Sequence, residues 1–180
     1  MYKYEEKTLN REEIFTGKVI KVFKDEVELP DGKTSTREIV KHPGAVAVIA
    51  QNDQGKIILV EQYRKALERP LLEVPAGKIE VGELPELTAK RELEEETGYE
   101  CGSLELMYTF YTSPGFADEL IYLYEAKYCK KLEDSADLDE DEFVDIIEVS
   151  LQEAEVLIKE GRIKDAKTII AIQYLKSKLC

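Results

Sequence analysis

The segment PELTAKRELEEETG, residues 85 to 98, constrains this chain more than any other stretch. Its residues are good helix formers, Pro85 stands near its start and Gly98 just past its end, so it predicts a helix. Glu occupies positions 92, 94, 95 and 96. At about 100° per residue, Glu92, Glu95 and Glu96 share one face and Glu94 points away. Leu87 and Leu93 are expected on the packed side. Like charges at this spacing repel by about a few tenths of a kcal/mol per pair. Two of the carboxylates also sit toward the C-terminal end, where the helix dipole disfavours them. Helix stability therefore does not account for the cluster. A divalent cation does, because Mg²⁺ takes hard oxygen ligands, commonly one or two carboxylates plus substrate phosphate. For an isolated run of Glu, the competing reading is a solvated acidic face.

The flanking segments supply a sheet for such a helix. Residues 17–29 and 37–41 alternate apolar and polar side chains around the turn PDGK, which predicts a hairpin. AVAVIA (45–50) and KIILVEQYR (56–64) are apolar and β-branched, and QNDQG between them suggests a second hairpin. LLEVPA (71–76) is a short extended piece. LELMYTFY (104–111) and ELIYLYEAKYC (119–129) read as two strands joined by TSPGFAD. An acidic stretch (133–142) precedes the strand FVDIIEV, and two helices, LQEAEVLIKEG and DAKTIIAIQYLKSKL, follow.

The 180 residues suit one domain with an appended element. Lys and Arg number 25 against 38 Asp and Glu, a formal charge of -13. That balance argues against nucleic acid or an anionic membrane as partner. It admits a small phosphorylated substrate once a cation reverses the local field. Cys101, Cys129 and Cys180 form no CxxC pair, which predicts a reducing compartment and no zinc site. The opening MYKYEEKTLNREE has no apolar core of a signal peptide, and no apolar run reaches the ~20 residues that span a bilayer. A cytoplasmic protein is expected.

Gly77, Glu83, Arg91, Glu92, Leu93, Glu95, Glu96 and Gly98 fall on the spacing GX5EX7REUXEEXGU, with U a bulky aliphatic. This is the Nudix box, and the segment resembles the Nudix hydrolases. Only the last position departs, with Tyr99 for an aliphatic residue, a change expected to alter packing alone. The resemblance implies an α/β/α sandwich with a mixed β-sheet and hydrolysis of a nucleoside diphosphate linked to another group. It also implies Mg²⁺ as cofactor, with Mn²⁺ or another divalent ion able to substitute. By position it makes Glu92, Glu95 and Glu96 metal ligands, with the Ala76 carbonyl beside them, and Arg91 and Glu83 orienting residues. Glu95 is also a candidate for the chemistry itself. A pyrophosphate gains negative charge on its oxygens as it is cleaved, and metal ions neutralise that charge and acidify water.

Outside the box, Pro114 follows Tyr99 by fifteen residues, and KHPGAVAVIA, EQYR, EVPAGKIE and DEDEFVDIIEVS add to the likeness. Together they are similar to the bacterial ADP-ribose pyrophosphatases of the superfamily. The resemblance then implies cleavage of ADP-ribose to AMP and ribose 5-phosphate. It places Ser113, Gly115 and Glu119 in a substrate loop and Arg37 and Glu38 at the adenine. Arg64 is either a diphosphate clamp, since guanidinium suits phosphate, or a surface ion pair. Phe15 is a candidate for adenine stacking or for the core. His42 is expected to be structural. The general base is expected on the acidic loop, Glu142 first and Glu140 next. Residues 1–40 form an N-terminal β-sheet element and 41–180 the Nudix domain. Because a lone hairpin cannot bury its apolar face, that element is expected to build a homodimer. The alternatives are a nucleotide sugar or dinucleotide as substrate, or a module that senses ADP-ribose without cutting it.

Overall fold

A computed structural model describes residues 2–133 and 143–179. The chain divides into two compact units. One unit comprises residues 1–44 with 111–120. Its strands β1 (Lys7–Thr16), β2 (Lys21–Glu28) and β3 (Thr34–Lys41) form an antiparallel sheet in the order β1-β2-β3. Gly32 takes the left-handed conformation (φ 82°) that the PDGK turn requires, and the Gly32 amide donates to the Leu29 carbonyl at 2.9 Å. The hairpin read from alternation is thus β2 and β3. The preceding strand β1 escaped that reading, because every one of its residues is exposed and no apolar face marks it. Its pairing with β2 is reinforced by Arg11, whose Nε and Nη2 donate to Asp25 at 2.7 and 2.6 Å. The 111–120 segment is tied to β3: the Val40 amide donates to the Phe116 carbonyl at 2.7 Å, and the Asp118 amide to the Val40 carbonyl at 3.2 Å.

The other unit comprises residues 45–110 and 121–180. Strands β4 (Ala45–Ile49), β7 (Ala76–Lys78), β9 (Ser103–Tyr111) and β10 (Leu120–Lys127) form a mixed sheet in the order β7-β4-β10-β9. Strands β5 (Ile57–Arg64), β6 (Arg69–Glu73) and β12 (Val144–Val149) form a second, in the order β12-β5-β6. The two-residue strands β8 (Tyr99–Glu100) and β11 (Lys130–Lys131) pair with each other. The predicted hairpin of residues 45–64 is corrected here. Its turn forms, but β4 and β5 share only an isolated bridge, Gln51 with Ile57, before entering different sheets. Two apolar runs do not specify each other as partners. β4 instead pairs in parallel with β10, along Ala45–Ile49 against Ile121–Glu125.

Helix α1 (Pro85–Thr97) covers one face, and α2 (Leu151–Lys159) and α3 (Ala166–Ser177) the other. β4 shows why. Ala45, Ala47 and Ile49 join Ala154, Ala171, Ile172 and Leu175 of α2 and α3, while Val46 and Val48 join Ala89 and Leu93 of α1. A strand buried on both faces has to be a continuous apolar run, as 45–50 is. Each fully buried Val, Ile or Leu of this core stabilises the fold by about 1.5–3 kcal/mol. The result is the expected α/β/α sandwich with a mixed sheet, and the first unit carries an antiparallel N-terminal sheet.

Candidate active site

Helix α1 begins with Pro85 in its first turn and ends at Gly98, whose φ of 66° closes the helix with a bond from its amide to the Glu94 carbonyl at 2.8 Å. Leu93 is fully buried, as expected, but Leu87 is 54% exposed. In place of Leu87, the packed side holds Thr88, Ala89, Thr97 and two carboxylates, Glu92 and Glu96. Those two side chains belong to residues only 8% and 3% exposed, whereas Glu94 and Glu95 are half-buried. The apolar face of α1 therefore covers the sheet with Ala89 and Leu93, and its carboxylate edge lies against β7.

That edge is built around two contacts with β7. The Ala76 amide donates to Glu96 Oε2 at 2.9 Å. Gly77 lies directly under Glu92: a Cβ at residue 77 would stand 1.9 Å from the Glu92 carboxyl carbon. Only glycine lets this carboxylate rest on the backbone. Arg91 gathers the remaining acids. Its Nη1 lies 2.9 Å from Glu92 Oε1 and 2.8 Å from Glu95 Oε2. Its Nε and Nη2 donate to the two oxygens of Glu83 at 3.3 and 3.2 Å. The Glu83 bonds hold the guanidinium well above its ordinary pKa, with Glu95 and Glu92 adding to the effect. The same bonds pull Glu83 below the usual carboxylate range.

Three carboxylates thus share one guanidinium, leaving negative charge in excess. The donor set of carboxylate oxygens beside the β7 backbone suits a hard divalent ion. Among the described residues, no group of three or more acidic, His or Cys side chains is arranged to hold a metal ion, and Glu92 and Glu95 both turn toward Arg91 Nη1.

Arg64 ends β5 and is fixed by a fork: its Nε and Nη2 donate to the two oxygens of Glu73 at 2.7 and 2.8 Å. Glu73 closes β6 and is 2% exposed. Lys167, in the first turn of α3, donates to the same carboxylate and lies 3.1 Å from Asp165. Asp165 caps α3 by accepting from the Thr168 amide at 3.0 Å and hydroxyl at 2.6 Å. The Thr168 hydroxyl in turn accepts from the Val74 amide at 2.9 Å. Sequence reasoning missed this assembly. Two signals were present: a charge inside the apolar run LLEVPA, and a lysine at the helix end where the dipole disfavours a cation.

Tyr99, the departure from the box pattern, is 5% exposed and donates to Glu148 at 2.5 Å. Burial, with Glu148 beside it, pushes the phenol up to about 12. The change from an aliphatic residue thus adds a hydrogen bond from the end of the box to β12.

Most of the remaining predicted residues lie in the first unit. Arg37, on β3, donates to Glu6 at 2.8 and 2.6 Å and to Ser35 at 3.1 Å. Glu38 is exposed and stands opposite Lys24. In the 112–119 loop, the Ser113 carbonyl accepts the Phe116 and Ala117 amides, Gly115 faces open space, and Glu119 accepts from the Thr112 hydroxyl at 2.6 Å. Phe15 is 54% exposed. His42 Nδ1 accepts from the Gly44 amide at 3.1 Å. Glu140 and Glu142 lie outside the described residues.

Comparison with known proteins follows the same division. Residues 41–171 match the NUDIX domain, and residues 6–40 the nucleoside diphosphate sugar hydrolase N-terminal domain. A Bacillus methanolicus protein named methanol dehydrogenase activator is 62% identical over 96% of this chain and 94% of its own. A Bacillus subtilis protein named ADP-ribose pyrophosphatase is 57% identical over 99% of this chain and 96% of its own. A solved structure described as an ADP compounds hydrolase superposes with a TM-score of 0.85 at 21% identity, covering 97% of this chain and 94% of that one, and shares the fold. With an acid-lined helix seated on Gly77 and a matching domain over most of its length, the chain belongs to the Nudix hydrolases.

Proposed function

We propose that this Nudix hydrolase cleaves the pyrophosphate of ADP-ribose with water, giving AMP and ribose 5-phosphate. One observation carries the chemistry: buried Glu92 and Glu96 stand against the β7 backbone, and Glu92, Glu95 and Glu83 together bring more negative charge to Arg91 than it balances. The choice of substrate leans on the near full-length likeness to the Bacillus subtilis ADP-ribose pyrophosphatase.

Glu92, Glu95, Glu96 and the Ala76 carbonyl would hold a divalent cation, Mg²⁺ first and Mn²⁺ as substitute. When bound, it supplies charge neutralisation at the diphosphate and a more acidic water. Arg91 and Glu83 keep the carboxylates oriented through charge-assisted bonds. Arg64 presents the guanidinium edge not used on Glu73 to the diphosphate. Arg37 and Glu38 serve the adenine, and Ser113, Gly115 and Glu119 the ribose and phosphates. Glu142 takes the proton from the attacking water, and Glu142→Gln should lower kcat far more than it raises KM. The N-terminal sheet, residues 1–40, builds a homodimer, which light scattering after size exclusion tests directly. No helix among the described residues is long and apolar enough to cross a membrane.

The deciding experiment is a substrate panel with Mg²⁺: ADP-ribose, a nucleotide sugar, NADH and a diadenosine polyphosphate. Conversion of ADP-ribose to AMP and ribose 5-phosphate, abolished by EDTA, is expected. Preference for another member reassigns the substrate, and binding of ADP-ribose without cleavage makes the chain a sensor. The name of the Bacillus methanolicus relative favours a second reading, in which the chain also stimulates an alcohol dehydrogenase. A rise in methanol dehydrogenase turnover on adding the protein would support it.

A further inference from the structure

We infer that Lys167 is a positioning residue for Arg64, acting through the buried carboxylate of Glu73. The inference rests on the reading of Arg64 as the group that faces the diphosphate. Glu73 is 2% exposed, so its charge needs a cation at close range. If Arg64 were the sole cation, the guanidinium would be committed to Glu73, because leaving a buried carboxylate unpaired costs several kcal/mol. Lys167 removes that commitment. It holds the same carboxylate, its own side chain is only 12% exposed, and Asp165 fixes it from the other side at 3.1 Å. Burial drives Glu73 toward protonation, and Arg64 with Lys167 outweighs it, keeping the carboxylate ionised.

Sharing the carboxylate leaves Arg64 both oriented and available. The fork uses Nε and one proton of Nη2. Arginine has five N–H donors, so the Nη1 edge remains for an anion. The side chain is 41% exposed, and its charge is felt by Glu96, the carboxylate bonded to the Ala76 amide. Lys167 has no such exposure and serves Arg64 only through Glu73. It is also placed without play: Thr168, the next residue, is fully buried between the Val74 amide and Asp165.

The test is a double-mutant cycle on ADP-ribose hydrolysis with Lys167→Met and Arg64→Ala. Lys167→Met is expected to raise KM by about fivefold, with kcat within about twofold. In the Arg64→Ala background the same change should alter KM by less than about twofold. Lys167→Arg should restore the wild-type KM. In Lys167→Met, Glu73 takes up a proton more readily, so the acid-side rise in KM should begin at higher pH than in wild type. A purely structural lysine would move neither the cycle nor that profile. An unchanged KM, or an equal effect with and without Arg64, overturns the inference. Should Lys167→Met fail to fold, Lys167→Gln keeps a donor to Glu73 without the charge and is read by the same criteria. If the panel selects another nucleoside diphosphate derivative, the cycle is run on that compound, so the substrate assignment and the role of Lys167 fail separately. A wild-type protein that neither binds nor cleaves any of them overturns both.

Discussion

The two units of this chain differ in how much charge they bury. In the N-terminal sheet, β1 is exposed along its whole length, and the pairs between Arg37 and Glu6 and between Lys33 and Asp31 stand in water. Such pairs contribute little, because solvent screens the attraction and ordering long side chains costs entropy. In the Nudix unit, Glu73, Glu92 and Glu96 are buried beside arginine, lysine and backbone amides. A buried carboxylate is expensive to maintain. Among the described residues the N-terminal unit buries one carboxylate, Asp25 against Arg11, whereas three gather in the Nudix unit, where the fold gives up stability for something other than folding.

Four substitutions break or sharpen this contrast. Glu96→Gln should have the largest effect, lowering kcat by about 100-fold or more while the circular dichroism spectrum is kept. Near-normal turnover would remove the metal assignment. Gly77→Ala comes next. Its methyl would overlap the Glu92 carboxylate, so KM and kcat should both suffer and the protein should lose about 1–3 kcal/mol in urea unfolding. Unchanged stability would mean that Glu92 moves aside freely.

Glu73→Gln gives a pH-dependent effect. The folded pKa of Glu73 lies below its unfolded value, so its stabilising contribution is complete above the unfolded pKa. It is lost as pH falls through the folded value. Thermal midpoints of the wild type should therefore drop on the acid side, and Glu73→Gln should flatten that limb. The smallest effect is expected from Arg37→Ala, with no measurable change in thermal midpoint, because the Glu6 pair is exposed. A raised KM for ADP-ribose in that variant, against unchanged stability, would assign Arg37 to the substrate.

What the sequence disclosed depended on distance along the chain. The box from Gly77 to Gly98 is local, so its spacing alone predicted the helix and a carboxylate-bearing face, on which Glu92 and Glu96 are buried while Glu94 and Glu95 are both half-buried. The strands were legible as apolar runs, but their partners were not. Nothing in AVAVIA says that it pairs with residues 121–125 in preference to the run just after it. Leu87 misled because helical angle was weighed without knowing which side met the sheet. β1 was hidden by its polarity, and the Glu73 and Lys167 contact by a separation of 94 positions along the chain.

The bond from the Val74 amide to the Thr168 hydroxyl ties the strand before Ala76 to the first turn of α3. During synthesis the chain emerges in order, at about 5–20 residues per second. Residues 73–98 leave the ribosome well before α3, without the lysine and threonine that pin their backbone. The acidic box is thus made before the residues that pin the strand leading into it. A nascent chain stalled before Asp165 would display the acidic box without a finished site.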